Sequence, residues 1–208
     1  MRDGDKRRLR AAWRRHERAL AARGFSLEIR YDGLEGWWEE IGSRSDSNPS
    51  FRPGPDILPE NSAWIRLTCA GELAGGIALR VYEWRGQPGP RVFQLGGLVV
   101  LPRYRGARAG HHLVHLIRIL GFVEFECEQN IGLELAAMAE SAMPLGYYEY
   151  ARVAPVADDV ELGGVRRRLY LTHISRLEYL NRLDANGDVE PARPAHDQAP
   201  VVELHAAG

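Results

Sequence analysis

"VFQLGGLVVLPRYRGARAGHHLVHL", residues 92–116, is the stretch on which the fold turns. Val92–Val100 is rich in apolar and β-branched residues and reads as a strand. Leu113, Leu116, Ile117 and Leu120 recur at i, i+3, i+4 and i+7 and predict a helix with one core face, running to about Gln129. Between them lies a turn with Pro102, Gly106, Gly110 and three arginines. A strand, a glycine-rich turn and a helix commonly hold a phosphate. The first N–H groups of a helix have no intrahelical acceptors, and the helix dipole favours an anion there. Arg108 stands where such a loop is expected to carry a further glycine. With a negative φ it could still donate its N–H, its guanidinium folded over a phosphate or turned away.

Upstream, "AWIRLTCAG" and "ELAGGIALRVYEW" alternate and meet at Gly71-Glu72, so they predict an antiparallel hairpin. The strand at 91–101 then completes a meander. Its Gly96-Gly97 pair suits a bulge or a close backbone approach. "FSLEIRYDG" (25–33) reads as a strand, and "LEGWWEEIGSR" (34–44) as a short helix. Residues 45–62, rich in Pro and Ser, read as a long loop, either an irregular connection or a wall over a pocket.

Downstream, "IGLELAAMA" (131–139) reads as a buried strand, a further strand follows Gly146, and "GVRRRLYLTHI" (164–174) as the last one. Ser175 is placed to cap a final short helix. The expected organisation is a basic N-terminal helix over residues 1–24, one α/β (α+β) domain over 25–184 on a mostly antiparallel sheet, and a flexible tail over 185–208. Leu9, Trp13, His16 and Leu20 share one face of the first helix, which docks on the core or meets an acidic partner.

Composition narrows the function. Basic and acidic residues number 27 and 28, so global charge gives no argument for nucleic acid. No apolar run approaches the ~18 residues of a membrane span, and no signal-peptide core is present. Cys69 and Cys127 form no CxxC pair, which fits a reducing, cytoplasmic setting. His111 and His115 lie one helical turn apart, but no acidic or cysteine ligand is near in sequence, so no metal is expected. With Arg118 they read as a polar stripe facing solvent or the phosphates.

The element order and the wording Pro102, Tyr104, Arg105, Gly106 and Gly110 resemble the GCN5-related N-acetyltransferase (GNAT) superfamily, with Arg108 replacing the middle glycine of its signature. "PLGYYEY" is similar to a second family segment, though Ala142 stands where the family often has a tyrosine acid. The resemblance implies a sheet splayed between its fourth and fifth strands and acetyl-CoA, or another acyl-CoA, as co-substrate. Arg105, Gly106, Ala107, Arg108, Ala109, Gly110 and His111 would cradle the pyrophosphate. Leu98, Val99 and Val100 would pair with the pantetheine arm, and Ala136 and Ala137 would leave it room.

Acyl transfer also needs a base for the amine and a donor for the leaving thiolate. Glu140, Tyr147 and Tyr148 are the candidates put forward, with Glu83 and Glu134 also considered. Trp37, Trp38 and Phe51 could wall an acceptor pocket or pack in the core. The implied acceptor is a small-molecule or peptide amine, and a homodimer stays open. Two alternatives stand beside acetyl transfer: an N-acyl amino acid or acylhomoserine lactone type of synthase, and a non-catalytic binding module of the same fold.

Overall fold

The structure, a computed structural model, describes residues 1–42, 59–82, 89–135, 152–162 and 165–185. The elements are α1 (Asp3–Ala21), β1 (Phe25–Arg30), α2 (Leu34–Glu40), β2 (Ser62–Cys69), β3 (Glu72–Tyr82), β4 (Val92–Val100), α3 (Ala109–Val123), β5 (Gln129–Leu135), β6 (Arg152–Leu162), β7 (Val165–Ser175) and α4 (Arg176–Ala185). The strands form one sheet in the order β1-β2-β3-β4-β5-β7-β6. Every neighbouring pair is antiparallel except β4 and β5, which run parallel. The expected mixed α/β domain on a mostly antiparallel sheet is therefore observed.

β4 and β5 pair only through Val92↔Gln129, Phe93↔Asn130 and Gln94↔Ile131. Beyond Gln94 the two strands part, while β4 stays on β3 as far as Val100 and β5 stays on β7 as far as Leu135. A bulge in β4 accompanies the opening. Gly76 faces Val99 but Ala78 faces Gly96, so β4 spends one more residue than β3 over this interval. Gly97 supplies the irregular conformation with φ +62°. The indole of Trp37 lies on it so closely that a Cβ at 97 would overlap the ring.

The extra residue also reassigns faces. Before the bulge Phe93 packs against Phe122 of α3, with ring centroids 5.3 Å apart, so odd-numbered residues face α3. After it Leu98 and Val100 join the α3 side, and Val99 joins Trp37, Ile41, Trp64 and Ala78 on the α2 side.

α1 and α3 share the large core on one face, with Leu9, Leu20, Leu113, Leu116, Ile117 and Leu120 buried. α4 begins at a reciprocal cap, as Ser175 predicts. The Glu178 N–H donates to Ser175 Oγ at 3.2 Å, and the Ser175 N–H donates to the Glu178 carboxylate at 3.0 Å.

α3 ends at Val123, not near Gln129, which belongs to β5. Glu126 turns left-handed at φ +51°, and the Cys127 N–H donates to the Gly121 carbonyl, so the chain leaves the helix despite its continuing apolar character.

Trp37 of α2 is fully buried, with its ring against the bulge at Gly97. Trp37→Ala should lower the unfolding free energy by about 3–5 kcal/mol in urea titrations, as large aromatic truncations do. A loss below about 1 kcal/mol would show that the ring does not hold the bulge.

Candidate functional site

The turn between β4 and α3 is held from both sides. Arg105 Nε donates to the Val100 carbonyl at 3.0 Å, tying the loop to the strand end. Tyr104 packs edge-on against Phe25 at 5.9 Å. Arg108 is the N-cap of α3, and no side chain caps the helix. Its carbonyl accepts from the His112 N–H at 3.2 Å, the first turn of the helix. The N–H groups of Ala109, Gly110 and His111 therefore begin α3 without intrahelical acceptors.

Arg108 has φ +52° and ψ +18°, so the negative φ considered for it is not adopted. The backbone keeps the left-handed form that glycine favours, although the residue is arginine. That conformation costs an L-residue roughly 1–2 kcal/mol. With Gly106 at φ +93°, two left-handed residues curl the loop ahead of the helix.

Beneath the loop lies a cluster of imidazoles that joins α1 to α3. Arg23 Nη1 donates to His112 Nε2 at 3.0 Å. A guanidinium has no acceptor, so His112 Nε2 is bare and a neutral ring carries its proton on Nδ1. That N–H donates to His16 Nδ1 at 3.0 Å. His16 stacks on His115 at 4.6 Å with the planes 6° apart, and His115 packs against His111 at 4.6 Å. His115 Nδ1 is 2.8 Å from the Tyr179 hydroxyl. Burial, followed by the neighbouring imidazoles, pushes His16 and His112 from 6.5 to about 3 and His115 well below 6.5.

The expected polar stripe of His111, His115 and Arg118 is thus corrected. All three are buried, because α1 covers the histidines and Arg118 Nε donates to Asn130 of β5 at 3.0 Å. The spacing of Leu9, Trp13, His16 and Leu20 puts His16 on the docking face of α1 but carries no link to the histidines of α3, since contact between two helices leaves no period. Among the described residues no group of three or more His, Cys, Asp or Glu is placed to hold a metal ion.

Leu98, Val99 and Val100 lie on β4 where it has left β5, with Val99 and Val100 opposite Gly76 and Gly75 of β3. Among the described residues nothing pairs with the β5-facing edge of β4 over the segment beside the α3 N-terminus. Structure brings the strand and loop candidates to one end of the cleft. Glu140, Tyr147 and Tyr148 lie outside the described residues, as do Glu83, Phe51, Ala136, Ala137, Gly146 and nearly all of the 45–62 loop. Glu134 belongs to β5 opposite Tyr170 of β7.

Residues 28–142, more than half of the chain, match the acetyltransferase (GNAT) family. No curated protein matches the sequence. Among solved structures, mutant forms of the spermidine/spermine N-acetyltransferase SpeG from Vibrio cholerae superpose with a TM-score of 0.55 at 12% identity, covering 77% of this chain and 98% of that one. A GNAT-family acetyltransferase from Streptococcus pneumoniae gives 0.50 at 13% identity, covering 72% and 99%. A dodecameric spermidine N-acetyltransferase from Vibrio cholerae gives 0.54 at 14% identity, covering 76% and 98%. At these identities the likeness is one of fold.

Two outcomes follow from this geometry. Above pH 6.5 His16, His112 and His115 are neutral folded or unfolded; below it the unfolded chain takes up protons that these three refuse in the folded cluster. Stability should fall as pH drops from 6.5 toward 3, by at most about 1.4 kcal/mol per pH unit for each histidine, and His16→Gln should flatten the dependence in denaturation measured between pH 7 and 4. Arg108→Gly should exceed Arg108→Ala in stability by about 1 kcal/mol in thermal unfolding, because only glycine removes the left-handed strain.

Proposed function

This chain belongs to the GNAT acetyltransferase family, and from that premise we propose that it is an acyl-CoA-dependent N-acyltransferase, with acetyl-CoA as donor and an amine as acceptor. The observation that carries the reading is the parting of β4 from β5 beyond Gln94 beside the uncapped N-terminus of α3. A thioester arm needs an unpaired strand edge, and a pyrophosphate needs unsatisfied N–H groups in a positive field. The cleft offers both within one loop length.

In this reading the first-turn N–H groups of Ala109, Gly110 and His111 bind the pyrophosphate together with the loop Arg105–Arg108. Arg23, beside His112, and Arg108 add positive charge at the same helix end. The left-handed backbone at Arg108 keeps the curl that the family's glycine would give. Leu98, Val99 and Val100 align the pantetheine arm through main-chain groups.

The acceptor amine attacks the thioester carbon. A C–N bond forms, the C–S bond breaks, the ammonium proton passes to a base and the thiolate takes up a proton. Glu140 is proposed as base, and Tyr147 or Tyr148 as proton donor to the thiolate. The spermidine acetyltransferases among the structural neighbours make a polyamine one acceptor to test.

Isothermal titration with acetyl-CoA, CoA and a long-chain acyl-CoA tests the donor. Micromolar binding of acetyl-CoA and CoA is expected, with Gly110→Trp weakening both at least tenfold. Preference for the long-chain thioester would move the reading to a synthase of N-acyl amino acid type. Binding of none would overturn acyl-CoA dependence.

A further inference from the structure

Among the described residues α3 and α1 cover one face of the sheet, which leaves the α2 face as the approach of an amine to the opened strand edge. At the apex of the opening on that face sits Gln94, the last residue of β4 paired with β5 and only 2% exposed. Its place on the α2 face follows from its cross-strand partner Arg80, two residues along β3 from Ala78, which packs against Trp37 and Trp64.

The amide of Gln94 is fixed in orientation. Its Oε1 accepts from Arg80 Nε at 3.0 Å, Arg80 Nη2 at 2.8 Å and the Tyr82 hydroxyl at 2.6 Å. Arg80 also lies over the Tyr82 ring, 5.1 Å from its centroid. Guanidinium groups only donate, so the oxygen must occupy that end of the amide and the NH2 the other. Among the described residues the Gln94 NH2 has no hydrogen-bond partner. That nitrogen is not among the fully buried unpartnered atoms, so it stays within reach of a ligand or water that can accept from it.

We infer that Gln94, held by Arg80 and Tyr82, selects acceptors that carry a carboxylate beside their amine, an amino acid or a peptide end rather than a simple alkylamine. The NH2 group donates to the carboxylate, and the Arg80 charge behind it adds a favourable field. This rests on the acyltransferase reading, because it takes the apex of the β4/β5 opening as the meeting point of donor and acceptor. Gln94 touches the acceptor, not the reacting carbon, and so acts on KM more than on kcat.

The test uses matched pairs that differ only by the carboxylate: L-ornithine against 1,4-diaminobutane, and L-phenylalanine against 2-phenylethylamine. Acyl transfer from acetyl-CoA is measured for the full chain, with acetyl-CoA binding followed by calorimetry. The expected result is at least roughly tenfold higher kcat/KM for the amino acid in a pair, the scale of one hydrogen bond to a charged group. Gln94→Glu keeps an acceptor for Arg80 and Tyr82 but replaces the donor by a negative oxygen. It should abolish or reverse the preference, mainly through KM, while leaving acetyl-CoA affinity unchanged. Failure of the wild type to bind acetyl-CoA would sink the acyltransferase reading itself. Binding with equal or better transfer to the decarboxylated partner, transfer to neither, or a preference untouched by Gln94→Glu would overturn the carboxylate inference alone.

Discussion

The contact on which this architecture depends is the indole of Trp37 against the backbone of Gly97. It fills the space that any side chain at 97 would occupy. Because Gly97 is left-handed, β4 carries one residue more than β3 needs, and the faces of the strand exchange there. Val99 then turns toward α2 while Leu98 and Val100 turn toward α3. Both cores are therefore set by a single backbone irregularity, and that irregularity lies next to the point where β4 leaves β5. An apolar cluster of modest size, Leu34, Trp37, Ile41, Trp64, Ala78 and Val99, keeps the cleft in shape.

What the sequence made legible follows from range. The strand, turn and helix of residues 92–123 are local, and their periodicities change at the turn itself, so the junction could be read directly. The β2–β3 hairpin was equally plain, since Ala70 and Gly71 form a tight turn with φ of 50° and 81° between alternating runs. The opening of the sheet was accessible only through family resemblance, because a pair of glycines is compatible with several bulges.

The errors share one cause, which is contact between elements far apart in the chain. His111, His115 and Arg118 looked like a polar stripe facing solvent or the phosphates, yet His16, about a hundred residues earlier, stacks on the His115 imidazole. Apolar residues past Val123 looked like more helix, yet a left-handed Glu126 and a carbonyl at Gly121 redirect the chain. Nothing in the sequence marks out Gln94, one polar residue in an apolar strand. Its meaning appears only when Arg80 and Tyr82 are brought across from β3.

The packing of α1 has a consequence for the order in which the protein is made. Its apolar face meets β1 only in part and is buried chiefly against α3, and its charged flank reaches further still. Lys6 binds Glu126 at 2.9 Å, and Arg8 Nη2 donates to the Leu180 carbonyl of α4 at 2.9 Å. On a ribosome that releases the chain from its N-terminus, Leu9 and Leu20 wait for their main cover until α3, residues 109–123, has emerged. Contact between the first and last helices, through Arg8 and the Leu180 carbonyl, is then the last of these steps to become available.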